Sequence, residues 1–298
     1  MATSTAPTSP SLVRRISSAL FPHPRVRLGL TLGPTLLWMI VIYLISLGVL
    51  LATSFWRLNE LSSQVEHVWG LQNYRDILHT SLYRIVTVRT LGLAASVTVF
   101  DVALAFPLAY YAARMASPRL RPLLLLLVVM PLWANYLVKV FAWKTIVAGD
   151  GPADALFRAV GLNVKLGTSA WSVWLTLSYL WLPYVVLPIY AAFERIPSSY
   201  LEASSDLGAR SALTFRRVVL PLVLPGVVAG SIFSFSLSLG DYITPGLVGK
   251  NIFLGNLIDS LVGTAGNRPL AAAIAVIPMV IMAIYLLIAR AMGAFEAL

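Results

Sequence analysis

Side chains that could do acid–base or nucleophilic chemistry are few in this sequence, and they do not cluster. The three histidines, His23, His67 and His79, lie outside the long apolar stretches, and the chain contains no cysteine, which excludes thiolate nucleophiles and thiolate metal sites. The glycine-containing segment 246–251 has neither the spacing nor the Ser or Thr of a phosphate-binding P-loop. We therefore expect no catalytic residue, no metal site and no cofactor bound by this chain.

The composition indicates the environment in which any functional side chain must work. Apolar residues make up 58% of the 298 residues and charged residues only 11%, and the mean hydropathy is +0.82, whereas soluble domains average about 45–50% apolar and about 25% charged residues. A membrane-spanning helix needs about 20 apolar residues, and lipid requires its backbone to be hydrogen-bonded internally. The sequence therefore predicts an all-α, polytopic membrane protein with six transmembrane helices, at 30–55, 91–111, 123–143, 171–193, 218–239 and 270–289.

The distribution of arginines predicts which side of the membrane each loop faces. The loops on the same side of the membrane as the N-terminus contain most of the arginines, including Arg14 and Arg217. The positive-inside rule therefore predicts that both termini are cytoplasmic. Most of the net charge of +10 is then expected to face anionic cytoplasmic lipid and not nucleic acid. The predicted organisation is a cytoplasmic N-terminal segment at 1–29, disordered over about its first ten residues, a six-helix transmembrane domain at 30–293, and a cytoplasmic C-terminus at 294–298.

The cytoplasmic loop between the fourth and fifth predicted spans, residues 194–221, has the features of a helix, a sharp turn and a second helix. Ser199 and Glu202 have the spacing of a capping box, so a helix is predicted to start there with reciprocal side-chain-to-backbone bonds. Gly208 is predicted to end this helix in the left-handed conformation, and Ser211 to open the next one. Taken alone, the two residues also fit a purely structural alternative, in which Glu202 only caps its own helix and Gly208 only ends it.

The same loop resembles a known motif. It reads Glu-Ala-Ser-Ser-Asp-Leu-Gly at 202–208, then nine residues, then Val-Val-Leu-Pro at 218–221. This is similar to the EAA loop in permease subunits of binding-protein-dependent ABC importers, in which E-A-A, three residues, G and nine residues precede I-x-L-P. In that family the loop forms the coupling helix that docks on the ATP-hydrolysing subunit. The resemblance assigns this coupling role to Glu202, Ala203, Ser204, Asp206, Gly208, Leu220 and Pro221.

The resemblance also implies a type I ABC importer permease fold and a set of partners. These are a second, similar permease subunit in a heterodimer, two ATPase subunits that hold ATP and Mg, and an extracytoplasmic substrate-binding protein, all at a prokaryotic inner or plasma membrane. The implied mechanism is alternating access driven by ATP that the partners bind. The chain itself is then expected not to be an enzyme.

Over residues 29–289 the sequence is most similar to the spermidine/putrescine permease subunits, which implies a polyamine substrate. Permeases for iron, sulfate, thiamine, phosphonates and opines share parts of the pattern and remain alternatives. Lys139 and Lys144 would repel a polycation if they lined its route, so they are expected to lie outside it, with Lys139 within snorkelling reach of the headgroups. The segments that carry this similarity are 70–78, 131–144, 240–249 and 254–258.

Asp101 is the only acid deep in a predicted span. A charge there costs about 2.5–3.5 kcal/mol, so Asp101 is predicted either to attract a cation in the substrate route or to be a protonated or hydrogen-bonded packing residue. The residues alone also leave open an ion-coupled secondary transporter with Asp101 at its midplane site. A membrane-embedded enzyme or scaffold is a further alternative, although the missing histidine and nucleophile cluster argues against the enzyme.

Other candidates for the substrate route lie in and after the fifth predicted span. Ser231, Ser234 and Ser238 recur there at helical spacing, and such a stripe is typical of a close-packing face, whereas the family resemblance places this span beside the route. Asp241 and Tyr242 follow at its outer end. They are predicted either to meet substrate as it leaves the binding protein or to cap a turn.

Overall fold

The computed structural model describes residues 24–59, 62–162 and 166–292, and within them every regular element except two short antiparallel strands is helical, as predicted. The predicted terminal segments fall largely (1–29) or wholly (294–298) outside the described residues. In chain order the elements are α1 (Pro24–Ser54), β1 (Arg57–Leu58), β2 (Val65–Glu66), α2 (Gln72–His79), α3 (Ser81–Tyr110), a first π-helical turn (Tyr111–Met115), α4 (Leu120–Trp133), α5 (Tyr136–Ile146), α6 (Pro152–Ala159), α7 (Ala170–Glu194), α8 (Ser198–Asp206), α9 (Ser211–Thr214), a second π-helical turn (Phe215–Val219), α10 (Leu220–Gly240), α11 (Ile243–Val248), α12 (Leu254–Gly263) and α13 (Arg268–Ala291).

The prediction of six spans is confirmed with one change. Among the described residues, five continuous helical segments are long and apolar enough to cross a bilayer, and a sixth span is obtained when the bent pair α4 and α5 is counted together. The helices continue past the apolar stretches that predicted them, because hydropathy marks only the part of a helix that lies in hydrocarbon. The five segments are Leu32–Ser54, Ser81–Met115, Ala170–Glu194, Ser211–Gly240 and Arg268–Ala291.

The third predicted span, 123–143, is not one straight helix. α4 and α5 meet at an angle of 97°. Ala134 between them has an extended backbone, with φ −74° and ψ 140°, and the side chain of Asn135 accepts a hydrogen bond from the Leu137 N–H at 2.9 Å. The prediction of an unbroken helix is wrong because an apolar length does not reveal an internal Asn that caps a new helix.

The described residues fall into two compact units. The first, 24–53, consists of α1. Its apolar stretch has a mean hydropathy of 2.5, and large side chains around the helix, among them Leu37, Trp38 and Tyr43, are exposed. A helix that is apolar on all sides is suited to lipid and not to water.

The second unit, 54–292, is built around three long helices, α3, α7 and α10, which pack against one another. Glycines allow α10 to approach α7 closely. A Cβ atom added at Gly226 would lie 2.8 Å from the Pro188 carbonyl oxygen, and one added at Gly230 would lie 3.0 Å from the Val185 carbonyl oxygen. Small residues at such crossings are how helices associate in lipid, where backbone proximity and van der Waals contact replace the hydrophobic effect.

At the end of these helices opposite the loop 194–221, short elements tie the chain together. The Asn73 side chain of α2 donates hydrogen bonds to the carbonyl oxygens of Ser54 and Trp56, at 2.9 and 2.8 Å. The Leu254 N–H at the start of α12 donates to the Thr90 hydroxyl of α3 at 2.9 Å. These bonds satisfy the last carbonyl of α1, a carbonyl in the segment after it and the first N–H of α12.

Candidate functional site

The loop between the fourth and fifth spans folds as a helix, a turn and a second helix. α8 ends at Asp206, and Gly208 has a φ of +74°, as predicted. The N–H of Ala209 donates to the Ser204 carbonyl at 3.1 Å and the N–H of Gly208 donates to the Ser205 carbonyl at 2.8 Å, which is the Schellman pattern of helix termination. The predicted sharp turn at Gly208 is confirmed.

The predicted start of the first loop helix is shifted, whereas the second begins at Ser211, as predicted. α8 begins at Ser198 with Pro197 at its N-cap, and α9 begins at Ser211 with Arg210 at its N-cap; neither cap position has a side-chain bond. The predicted capping box is therefore wrong, because Ser199 already lies in the first turn. Pro197 has no N–H, its φ is −63° and its ψ is 142°, so it brings the extended chain directly into the helix.

The outward face of α8 combines negative charge with apolar surface. Glu202, Ala203 and Asp206 are exposed, and Leu207, directly before the turn, is 88% exposed. A single exposed leucine is common on protein surfaces, and this one adjoins the turn and two exposed carboxylates. Sequence reasoning missed Leu207, for which the signal was an apolar residue next to the turn glycine.

On the inner side of the loop, a hydrogen bond joins its two helices. The Ser204 hydroxyl of α8 shares a hydrogen bond of 2.8 Å with the Thr214 hydroxyl of α9. From there the helix continues through the second π-helical turn into α10, where Leu220 and Pro221 are both exposed. The predicted coupling residues thus lie on one continuous hairpin, with Glu202 and Asp206 on its exposed side.

The base of this hairpin is held by arginines that sequence reasoning counted only as charges. The Arg114 guanidinium donates to the carbonyl oxygens of Phe193 and Ile196, both at 2.6 Å. Arg121 donates to the Ala113 carbonyl at 2.8 Å and lies 3.6 Å from a carboxylate oxygen of Glu194. These contacts join the ends of α3, α4 and α7.

Asp101 and Ser234 are brought together between α3 and α10. Asp101 is fully buried, and its Oδ2 accepts a hydrogen bond from the Ser234 hydroxyl at 2.7 Å. Within the described ranges Asp101 Oδ1 has no hydrogen-bond partner, and neither do the buried hydroxyls of Ser178 and Ser238. The bond to Ser234 corresponds to the packing alternative, whereas Oδ1 is left without a partner in these ranges, and both alternatives for Asp101 stay predictions.

The serine stripe of α10 does not face a single partner. Ser234 faces Asp101, whereas the Ser231 hydroxyl accepts a hydrogen bond from the Tyr285 hydroxyl of α13 at 2.8 Å and donates to the Val228 carbonyl at 2.7 Å. Ser238 is 3% exposed. The described contacts of Ser231 and Ser234 are therefore helix–helix contacts.

Asp241 caps the turn after α10. Its Oδ1 accepts from the N–H groups of Ile243 and Thr244, at 2.9 and 3.1 Å, and its Oδ2 accepts from the hydroxyls of Tyr136 and Thr244, at 2.6 and 2.7 Å. These bonds correspond to the turn-capping alternative. They also draw Tyr136, at the start of α5 just after the bend, against the end of α10.

An open cavity of about 390 Å³ lies beside this turn. Tyr136 and Trp181 form its aromatic wall, with ring centroids 6.0 Å apart and planes at 15°, and Tyr242 is 47% exposed at its edge. Asp241 is the one charged residue among the described residues that line it. Tyr136 and Trp181 were missed by sequence reasoning because the bend that places Tyr136 here was not predicted.

These features define a class of protein. Long apolar helices form the bulk of the chain, a preformed helical hairpin projects between the fourth and fifth spans, and the described residues contain no group of His, Asp or Glu that could hold a metal. Such an arrangement is that of a polytopic integral membrane protein with a structured loop between two of its spans.

The chain belongs to the family of binding-protein-dependent transport system inner membrane components, whose model matches residues 105–295. It is 40% identical to the inner membrane ABC transporter permease protein YdcU of Escherichia coli (strain K12), over 98% of both chains. It is 28% identical to the spermidine/putrescine transport system permease protein PotB of the same organism, over 84% of this chain and 92% of the relative.

Solved structures agree on the fold. A bacterial alginate ABC transporter, in complex with a periplasmic protein bound to an alginate pentasaccharide, matches with a TM-score of 0.72 over 94% of this chain and 97% of that chain, at 15% identity. The MetNI methionine ABC transporter in an inward-facing conformation matches with a TM-score of 0.54 over 70% of this chain and 94% of that chain, at 19% identity.

The predicted fold class and location are therefore confirmed. The chain is a membrane permease subunit of an ABC importer, with the corresponding all-α fold, and it resides in the inner membrane. The alternative of an ion-coupled secondary transporter is wrong, because the family match covers the region from α3 to the end of the last span.

Proposed function

We propose that this subunit forms part of the translocation route of an ATP-driven polyamine importer, with spermidine or putrescine as substrate. The proposal is supported by the similarity to relatives named as spermidine/putrescine permeases and by the chemistry of the cavity beside Asp241. A permease for another small solute, such as iron, thiamine, a phosphonate or an opine, is the alternative that the experiment below distinguishes.

The cavity carries the proposal because its wall combines aromatic faces with one negative charge. Tyr136 and Trp181 stack at one side, Tyr242 is exposed at the edge, and Asp241 is the charged residue of the described wall. Alkylammonium groups bind the faces of Trp and Tyr through cation–π attraction and pair with carboxylates. The two lysines that would repel such a substrate, Lys139 and Lys144, are not among the described lining residues.

The coupling role rests on the hairpin. With both termini on the cytoplasmic side, α8 faces the cytoplasm, where Glu202 and Asp206 offer charge and Leu207 offers 88% of its surface to a partner. Because the hairpin is already folded, docking on an ATPase subunit costs little ordering entropy. In the proposed assembly, two such ATPases bind ATP and Mg, a second permease completes the route, and an extracytoplasmic binding protein delivers the substrate.

The test is uptake by the complete importer in membrane vesicles, with labelled putrescine and spermidine and with iron, thiamine and a phosphonate as unlabelled competitors. We expect ATP-dependent amine uptake that the other solutes do not inhibit. Amine uptake that is absent, together with ATP hydrolysis stimulated by another solute, would overturn the polyamine assignment and leave the importer class intact.

A matched pair of variants tests the cavity. Asp241→Asn keeps one oxygen for the N–H groups of Ile243 and Thr244 but removes the charge and the acceptor of the Tyr136 hydroxyl. The KM for putrescine is therefore expected to rise about tenfold, as for loss of one charge-assisted hydrogen bond. Asp259→Asn removes an exposed charge from α12, outside the cavity wall, and is expected to leave the KM unchanged. Equal KM values for the two variants would contradict a role of Asp241 in substrate binding.

A further inference from the structure

Arg114 makes an unusual contact with the backbone at the base of the coupling hairpin. Its Nη2 donates to the carbonyl oxygens of Phe193 and Ile196, both at 2.6 Å, across 79 and 82 residues of sequence. Phe193 lies in the last turn of α7, and Ile196 directly precedes Pro197, the N-cap of α8. A single guanidinium thus bridges the two ends of the turn that leads into the hairpin.

The Phe193 carbonyl also accepts a longer backbone bond outside α7, from the Ile196 N–H at 3.3 Å, so Arg114 supplies its shorter partner. A helix leaves its last four carbonyls without intrahelical partners, and Pro197 has no N–H to contribute. A cation at the C-terminal end of a helix is also favoured by the helix dipole. Charge-assisted bonds of this kind are shorter and stronger than neutral ones, so the position of Arg114 fixes the direction in which the chain leaves α7.

The residue that carries this guanidinium is itself firmly placed. Arg114 lies in the first π-helical turn, closed by a hydrogen bond from the Ala116 N–H to the Tyr111 carbonyl at 2.8 Å. Arg121 from α4 donates to the Ala113 carbonyl within the same turn at 2.8 Å. The end of the second span and the start of the third therefore move together with Arg114.

Aromatic contacts continue the same connection on the membrane side. The Phe193 ring lies 5.4 Å from the Tyr110 ring and 5.2 Å from the Phe106 ring, and Phe215, in the second π-helical turn, lies 6.0 Å from Tyr110. These rings come from α3, α7 and the end of the hairpin. To these ring contacts Arg114 adds hydrogen bonds to the backbone of the connection.

We infer that Arg114 is a positioning residue that locks the coupling hairpin to the second span, so that a displacement of α8 moves α3 instead of bending the connection at residues 195–197. The inference rests on the proposed docking of the hairpin on an ATPase. It assigns Arg114 no contact with ATP or substrate. Its function is to transmit movement, and its loss is expected to separate ATP hydrolysis from transport.

The first measurement is the number of substrate molecules transported per ATP hydrolysed, in proteoliposomes containing the complete importer. Arg114→Ala removes both hydrogen bonds of the guanidinium. We expect the ratio to fall at least about tenfold, the effect of losing a single hydrogen bond to a charged group, while ATP hydrolysis continues. Arg114→Lys keeps a charged donor and is expected to recover part of the ratio. Arg119→Ala removes an exposed arginine from the same loop and is expected to leave the ratio as in wild type.

The second measurement is the distance between the loop after the first π-helical turn and α8. The sequence contains no cysteine, so spin labels on Ser117→Cys and Ser199→Cys report this one distance. Wild type and Arg114→Lys are expected to give a narrow distance distribution, and Arg114→Ala a broad one. If the alanine variant does not accumulate, Arg114→Gln, an uncharged donor, takes its place with the same expectation of broadening.

The outcomes separate this inference from the proposed function. An unchanged transport ratio and an unchanged distance distribution in the alanine or glutamine variant, in a complex that retains its ATPase, would overturn the role of Arg114 alone. A wild-type chain that recovers no ATPase would overturn the coupling function on which the inference rests. A lower ratio with a broad distribution and partial recovery by lysine would support both.

Discussion

At the scale of single residues, Asp101 shows how a costly group is accommodated in a membrane protein. A carboxyl group in the interior of a bundle is destabilising unless it is hydrogen-bonded. The Ser234 hydroxyl supplies one such bond at 2.7 Å, and both side chains are fully buried. Asp101 therefore contributes to the contact between α3 and α10 through its oxygen and not through exposure to solvent.

This arrangement predicts a difference between two substitutions at Asp101. Asp101→Asn retains an oxygen that accepts from Ser234, so the thermal unfolding midpoint in detergent and the uptake rate are expected to stay close to wild type. Asp101→Leu leaves the Ser234 hydroxyl buried without its acceptor, which costs about 1–3 kcal/mol, and the midpoint is expected to fall. Differential scanning fluorimetry and vesicle uptake are the measurements.

Ser231→Ala is a suitable control for these variants, because Ser231 bonds Tyr285 of α13 and not Asp101. Its effect on stability is expected to add to that of Asp101→Leu, whereas Ser234→Ala is expected to be less than additive with it. If Asp101→Asn abolished uptake at an unchanged unfolding midpoint, Asp101 would act in the substrate route and not in packing.

At the scale of elements, the contact between α7 and α10 depends on the absence of side chains. A Cβ atom at Gly230 would lie 3.0 Å from the Val185 carbonyl oxygen, whereas one at Gly92 on α3 would have no heavy atom within 4 Å. Gly230→Ala is therefore expected to push the two helices apart and to cost about 1–3 kcal/mol, as overpacking does. The unfolding midpoint of the purified complex measures this loss.

Gly92→Ala is the matched control, since it adds the same methyl group to a helix at a position with free space. It is expected to leave the midpoint unchanged or slightly raised, because alanine is the better helix former. A midpoint for Gly230→Ala equal to that of Gly92→Ala would show that α10 can shift away from α7 without cost.

At the scale of elements, the sequence could predict some features of the fold and not others. The lengths of the apolar stretches predicted the existence and order of the spans, and Gly208 predicted the turn of the hairpin. Both predictions succeeded because they depend only on residues that are close together in the sequence. The pairings of Asp101 with Ser234 and of Arg114 with Phe193 join residues 133 and 79 positions apart. In lipid all faces of a helix are apolar, so hydropathy does not reveal which face meets which neighbour, and those pairings stayed unpredicted.

At the scale of the whole molecule, the exposed face of the hairpin predicts an assembly. A mild-detergent pull-down of the tagged chain is expected to recover an ATPase subunit, identified by mass spectrometry, with wild type. The double variant Glu202→Ala, Gly208→Pro is expected to lose it, because proline cannot adopt the φ of +74° found at Gly208. Recovery of the ATPase with the double variant at the wild-type level would contradict docking through this loop.

A second pair of variants separates the docking surface from general surface effects. Leu207→Ser changes a side chain that is 88% exposed beside the turn, and Leu156→Ser changes one that is 66% exposed on α6. Only the first is expected to reduce the recovered ATPase. A burial of one leucine at an interface is worth about 1.5–3 kcal/mol, enough for a clear loss in such an assay.

The two π-helical turns respond to the loss of a residue differently from the α-helices around them. In each, the backbone bond spans five residues instead of four: Ala116 N–H to the Tyr111 carbonyl, and Leu220 N–H to the Phe215 carbonyl. Each turn thus holds one residue more than an α-helix would. Deleting that residue would narrow the wide turn to regular α-helix and leave the helix beyond it in phase, whereas deleting a residue from the α-helical part of α3 would rotate everything beyond it, Arg114 included, by about 100°. The two wide turns are therefore the positions in these long helices at which the loss of one residue disturbs the orientation of the following residues least.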